Sequence, residues 1–153
     1  MKRMTITLAT AFALVAPAAM AQDDFSAQLK ARQGQFRIMA LNLGILGGMA
    51  QGKIEYDAAQ AQDAADTLVA VSAISQAPHW PEGSDNFSID GTRAQASIWE
   101  ENADFLSKWA DFGQAAMTMQ TAAGEGTEAI GQALGQMGGT CKACHDAHRA
   151  PES

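Results

Sequence analysis

Cys141-Lys142-Ala143-Cys144-His145 lies near the C-terminal end of this 153-residue sequence and reads Cys-x-x-Cys-His, the attachment signature of a c-type haem. On a helix, thiols three residues apart lie nearly on one face, so Cys141 and Cys144 can both reach the two vinyl groups of one porphyrin and form thioethers. His145 follows directly and offers its imidazole as the axial iron ligand. Three other readings compete. A disulfide between the two cysteines is one, and a thiol oxidoreductase is another, although no βαβ pattern precedes the motif. A zinc site from Cys141, Cys144, His145 and His148 has suitable ligand types, but two of them are adjacent and no second cluster exists.

Working outward, Gly124-Glu125-Gly126 ends one segment and Thr127 is expected to cap the next. Within that last helix Ile130, Leu134, Met137, Cys141, Cys144 and His148 recur at three- or four-residue steps, which puts the haem cysteines on the core face. A helix upstream, about Gln95 to Ala123, repeats Ile98, Phe105, Phe112 and Met119 every seven residues, with Trp109 and Ala116 between. Before it, residues 77–93 are rich in Pro, Gly, Ser, Asp and Asn and form the longest loop, where His79 is read as a surface residue. A helix from the N-cap Asp57 to about Ser75 carries Ala61, Ala65, Leu68, Val71 and Ile74 near one face. The first helix, about Ser26 to Gln51, places Leu29, Arg32, Phe36, Met39, Leu43, Leu46 and Ala50 on an inward stripe and ends at Gly52. A second stripe, Ile38, Leu41, Ile45 and Met49, runs beside Gly44 and Gly48, a small-xxx-small spacing that permits close approach of another helix; a homodimer is expected. Strand patterns are nearly absent, so the fold class is all-α, an antiparallel up-down-up-down four-helix bundle enclosing a covalently attached haem.

Residues 1–21 read as a cleaved secretory signal: Lys2 and Arg3, an apolar run from Ile6 to Val15, then Pro17 and Ala19-Met20-Ala21. The run is too short to span a bilayer stably, so the mature domain is expected to be residues 22–153, with no membrane association and a periplasmic location. Removing Lys2 and Arg3 leaves 8 basic against 17 acidic residues, a formal charge of −9. Such a chain repels phosphate backbones, so nucleic acid is not an expected partner. Acidity of this degree serves solubility, and a redox partner that docks by charge would present a basic patch.

A c-type motif at the C-terminus of a four-helix chain sets this sequence apart from the commoner small cytochromes. It resembles cytochrome c′, the class II c-type cytochromes, over essentially the whole mature chain, and the four-helix bundle is an architecture of which that family is itself a standard example. The resemblance rests on Arg32-Gln33, Phe36, Met39-Ala40, Gly52, Tyr56-Asp57, Trp99 and the terminal run Cys141-Lys142-Ala143-Cys144-His145-Asp146-Ala147-His148-Arg149. It implies one haem c per chain on Cys141 and Cys144, with His145 as the iron ligand. It also implies that Arg32 pairs with a haem propionate, that Phe36 occupies the distal face, and that Arg149 lies in the proximal environment. Here His148 stands where the family has Tyr.

In the family's low-spin branch a Met four residues after the helix-one Arg makes a second axial bond. Phe36, four after Arg32, has no lone pair, so a five-coordinate, high-spin iron is implied, open to nitric oxide or carbon monoxide and capable of single-electron transfer with a periplasmic donor or acceptor. Charged ligands would be desolvated there without a hydrogen-bond donor to receive them. No proton-handling group is evident beside Phe36, which points to a binding protein rather than an enzyme, with no catalytic residues. The alternative is a six-coordinate electron-transfer cytochrome of the c-556 type, in which Met39 ligates the iron.

Overall fold

The computed structural model describes residues 24–152; the expected signal, residues 1–21, lies outside the described residues. Five helices follow in order: α1 (Ser26–Ala50), α2 (Ala58–Ser72), the single-turn α3 (Ser97–Glu100), α4 (Asn102–Ala123) and α5 (Thr127–His148), with a 3-10 turn at Ala77–His79. Among the described residues there is no strand, only an isolated antiparallel bridge between Ala94 and Arg149. The long helices α1, α2, α4 and α5 form an up-down-up-down four-helix bundle. Each of α1 and α4 packs against both α2 and α5. None of the helices in the described residues is long and apolar enough to cross a membrane.

Local chemistry explains the boundaries. Gly52 takes φ +68°, its N–H donates to the Met49 carbonyl at 3.0 Å, and the Lys53 N–H donates to the Gly48 carbonyl at 2.8 Å. This pair of bonds is the left-handed glycine stop that satisfies the last carbonyls of α1. The chain then folds back so that a Cβ on Gly48 would lie 2.5 Å from Ile54 Cδ1. The smallness of Gly48 therefore accommodates its own chain, and Gly44 meets nothing within 4 Å. Asp57 caps α2 as expected, accepting from the Gln60 N–H at 2.8 Å. Thr127 does not cap α5: the N-cap is Gly126 at φ 103°, a backbone conformation that a side chain at Thr127's position one residue later need not adopt.

Three further expectations about the helices are corrected. The segment expected to run unbroken from Gln95 to Ala123 is interrupted at Glu101 (φ −117°, ψ 43°). There the Asn102 side-chain amide donates to the Ile98 carbonyl at 3.1 Å, taking the acceptor that its own backbone N–H would use in a continuous helix. The second helix stops at Ser72 rather than near Ser75, and Ile74 beyond it is exposed. Along α1 the buried residues are Arg32, Gln35, Met39, Asn42, Leu46 and Met49. Three of the seven positions of the expected inward stripe are thus shifted by one residue: Gln35, Asn42 and Met49 are the more deeply buried, Leu43 and Ala50 stay partly buried against the core, and Phe36 is exposed. The two buried amides are satisfied, Gln35 by reciprocal bonds with Gln76 (3.0 and 3.3 Å) and Asn42 by the Ile38 carbonyl (2.8 Å), which removes the usual penalty for their burial.

The main core holds Leu46, Met49, Ala61, Ala65, Leu68, Ala116, Met119, Ile130 and Met137, all buried, and leans on small residues where α2 meets α4. A second cluster of Ala94, Ile98 and Phe105 with Trp80 and Trp99 closes one end of the bundle. The seven-residue repeat Ile98, Phe105, Phe112 and Met119 is fully buried, as the periodicity requires.

Candidate haem site

Between the aromatic end cluster and α1, α4 and α5 lies a cavity of about 440 Å³. Every residue expected at the site lines it: Arg32 and Phe36 from α1, Cys141, Cys144 and His145 from α5, and Arg149 just beyond. The displacement of the α1 stripe acquires its meaning here. Phe36 leaves the core to face the cavity, where it stays 40% exposed and meets Trp109 edge-on at 6.3 Å between centroids, while Leu43 lines the cavity and still packs against the core. Trp109 is itself fixed, its indole N–H donating to the Ser72 carbonyl at 2.9 Å.

The wall has two characters. Leu29, Phe36, Met39, Leu43, Trp109 and Phe112 give it apolar surface, and four cations line it, Arg32, Arg93, Lys108 and Arg149, with no Asp or Glu among the lining residues. Half of the 8 basic residues in positions 22–153 therefore face one cavity in a protein with 17 acidic ones. That combination suits a large apolar ring bearing carboxylates.

Arg32 supplies the direct test of fit. It is 2% exposed and its guanidinium lies 4.6 Å over the Trp80 ring. One amine, Nη1, donates to the Ser84 carbonyl at 3.3 Å, while Nε and Nη2 are buried with no protein partner. Burial pulls the Arg32 pKa down from its ordinary value, since the charge has lost water. A buried guanidinium with two orphan donors on a cavity wall is incomplete until an anion meets it. A haem carboxylate meets that need, so the residues present fit the group.

Cys141 and Cys144 are not joined in a disulfide. Burial pushes both thiols above their ordinary pKa, which argues against the thiolate chemistry of an oxidoreductase. No group of three or more metal-ligating side chains occurs among the described residues, so the zinc reading has no closed site. The His145 pKa is lowered, first by desolvation and then by the Arg149 and Arg93 charges. That favours the neutral imidazole, the form whose nitrogen lone pair binds a metal.

His148 is 3% exposed. Its Nε2 lies 3.1 Å from Asp104 Oδ2, its Nδ1 lies 2.9 Å from Ser97 Oγ, and its ring meets Phe105 edge-on at 5.8 Å. Met39 also lines the cavity, but it is buried as part of the main core. His79 bonds the Ser75 carbonyl through Nδ1 at 2.8 Å and does not line the cavity.

Sequence reasoning missed Trp80, Gln76 and Lys108. Gln76 accepts from the Trp80 indole N–H at 3.0 Å and bonds Gln35, so a loop residue, a helix residue and the Arg32 stack form one unit. The only signal was a Trp between Pro78 and Pro81, residues that stiffen a loop enough to hold a ring in place.

A family model described as Cytochrome C' matches residues 27–149. A cytochrome c' of Cereibacter sphaeroides is 38% identical over 144 residues, covering 94% of this chain and 96% of that protein. Among solved structures, a cytochrome c' from Rhodobacter Spheriodes superposes with a TM-score of 0.80 at 35% identity, covering 85% of this chain and all of the other. A nitric oxide complex of a mutant cytochrome c prime from Alcaligenes xylosoxidans gives a TM-score of 0.71 at 29% identity, over 83% of this chain and 97% of the other.

Proposed function

This chain belongs to the cytochrome c′ family, whose members bind haem c, and from that premise we propose that it is a periplasmic haem protein with a five-coordinate, high-spin iron that binds nitric oxide or carbon monoxide and exchanges single electrons. When bound, the haem supplies a reducible iron with one face open to a ligand. In this reading Cys141 and Cys144 hold the ring covalently, His145 provides the proximal nitrogen, Arg32 binds a propionate and Arg149 adds positive charge near the proximal imidazole.

The observation that carries the proposal is Phe36. It stands on α1 rather than on the cysteine-bearing helix, lines the same cavity, and is braced by a Trp109 that is itself hydrogen-bonded to Ser72. A phenyl ring offers neither a lone pair to iron nor a proton to a bound ligand. With Leu43 and Phe112 beside it, this part of the wall admits small neutral molecules and disfavours ions, which would lose hydration without compensation. That Phe36 itself brings no proton donor supports binding rather than turnover. The nitric oxide complex of a structural neighbour supports the gas assignment.

The rival reading makes Met39 a sixth ligand, since it lines the cavity. Its side chain is already buried as a member of the main core, so ligation would open a hole there. Absorption spectra of the haem-loaded protein, ferric and ferrous, with and without each gas, separate the two. A broad ferrous band that sharpens with gas supports the open iron; split low-spin bands without gas overturn it.

A homodimer through α1 is part of the same proposal. Ile38 and Leu41 are 46% and 66% exposed on one side of α1, with Ile54 exposed nearby in the turn that follows, an apolar surface that a second copy would bury.

A further inference from the structure

Gln35 and Gln76 are each 4% exposed, at positions that two apolar side chains of similar size could fill. Their bonds fix one orientation for the Gln76 amide. Its Oε1 accepts from Gln35 Nε2 at 3.0 Å and from Trp80 Nε1 at 3.0 Å, both groups that can only donate. Its Nε2 donates to the Ile74 carbonyl at 2.9 Å and to Gln35 Oε1 at 3.3 Å. Turning the amide over would set the Trp80 N–H against another donor and the Ile74 carbonyl against another acceptor. The Gln76 carbonyl also accepts from the His79 N–H at 2.9 Å, which closes the 3-10 turn leading into Trp80.

We propose that Gln76 is a positioning residue for the haem site: by bonding Gln35 on one side and the Trp80 indole on the other, it sets the Trp80 ring against the Arg32 guanidinium and so fixes the charge that meets the haem carboxylate. The proposal rests on the haem reading given above. Arg32 and Gln35 stand three residues apart on α1, about one turn, whereas Trp80 belongs to the loop that follows α2. The stack of Arg32 on Trp80 persists only if helix and loop keep their separation, and Gln76 bonds both. A fully satisfied network of buried polar groups is rigid, since any shift leaves one of its members unpaired.

Other contacts tie Trp80 elsewhere. The Trp99 indole N–H donates to the Trp80 carbonyl at 3.0 Å, and the Phe105 ring meets Trp80 edge-on at 5.1 Å; these reach α3 and α4, not the helix of Arg32. A guanidinium is planar, with its donors in a fixed fork. The ring it lies over and the Ser84 carbonyl therefore orient the two donors that remain, Nε and Nη2. If the ring slips, those donors lose their aim.

The test is the reduction potential of the haem-loaded protein in a double-mutant cycle of Gln76→Met and Arg32→Leu. Met keeps the length of Gln and removes the amide. A cation held near the iron favours the added electron, so Arg32→Leu should lower the potential and Gln76→Met should lower it by a smaller amount. In the Arg32→Leu background Gln76→Met should change nothing, because the charge it positions is gone. A Gln76→Met protein that is less stable but has a wild-type or raised potential, or one whose potential drops equally with and without Arg32, would overturn the positioning role. An Arg32→Leu protein with the wild-type potential would instead overturn the pairing of Arg32 with a haem carboxylate, and the proposal with it, so that single variant tells the two failures apart. Should Gln76→Met fail to fold, Gln35→Met, which spares the bond to Trp80 and frees Gln76 from α1, is put through the same cycle and read against the same outcomes.

Discussion

Replacing Arg32 by Leu tests the haem site through the sign of its effect. Leu fills much of the space of the aliphatic stem and removes the charge, the bond to the Ser84 carbonyl and the stack on Trp80. Were Nε and Nη2 unpaired in the haem-loaded protein, as they are among protein atoms alone, deleting a buried, half-satisfied cation would be neutral or stabilising. If a haem carboxylate completes the guanidinium, the substitution deletes two charge-assisted hydrogen bonds of about 1.5–3 kcal/mol each and a cation–π contact of about 0.5–2 kcal/mol. It also leaves the carboxylate against apolar surface. Relief from desolvating the guanidinium offsets part of this, so the net loss is expected at about 2–4 kcal/mol. Urea denaturation of the ferric haem-loaded protein measures it as a lowered midpoint with unchanged slope. Arg32→Lys, which keeps the charge without the planar stack or the second donor, should fall between the two. An Arg32→Leu protein as stable as wild type, or more so, would refute the assignment of an anion to this position.

Four other outcomes follow from the structure. Phe36→Met should convert a gas-responsive ferrous spectrum into split low-spin bands and lower the affinity for carbon monoxide, read by titration; an unchanged spectrum would remove Phe36 from the distal face. Lys108→Met should let the Asp104 carboxyl, now held low chiefly by its bond to Lys108, titrate at higher pH by NMR. Because a depressed carboxyl stabilises the fold above its unfolded pKa and loses that contribution as pH falls through its folded one, the variant should also show less of the acid-side loss due to Asp104. Met119→Ala, at a fully buried position where α4 meets the core, should cost about 2–5 kcal/mol in denaturant unfolding. Leu41→Asp should leave the spectrum intact and shift the protein from dimer to monomer in sedimentation equilibrium; a wild type that is already monomeric would end the α1 dimer.

Much of this molecule was legible without coordinates, and the reasons are local. Cys141, Cys144 and His145 announce themselves because covalent attachment requires a fixed spacing within one helix turn. Asp57 and Gly52 mark helix ends because capping is decided within about four residues. The repeat from Ile98 to Met119 found its buried face because seven residues make nearly two whole turns. The break at Glu101 was harder to see, since it depends on whether Asn102 bonds backward, and an Asn within a helical pattern is common enough to pass unremarked.

Other features were decided only when distant segments met. Positions 35 and 36 of α1 are about 100° apart on the helix, and either phase yields a plausible stripe. What decides is that Gln76, forty-one residues on, pairs with Gln35, while the space left beside Phe36 becomes cavity. Arg32 is read from sequence as a residue one turn before Phe36; that it is buried under Trp80 with two donors unspent depends on a loop folding across α1. The bonds from His148 to Ser97 and Asp104 bridge 51 and 44 residues. Sequence alone determined what is written in spacing along one helix: the haem motif, the helical class and most of the caps. The tertiary structure decided which side chains lost their water and which partners replaced it, because desolvation and hydrogen-bond satisfaction are sums over segments far apart in the chain.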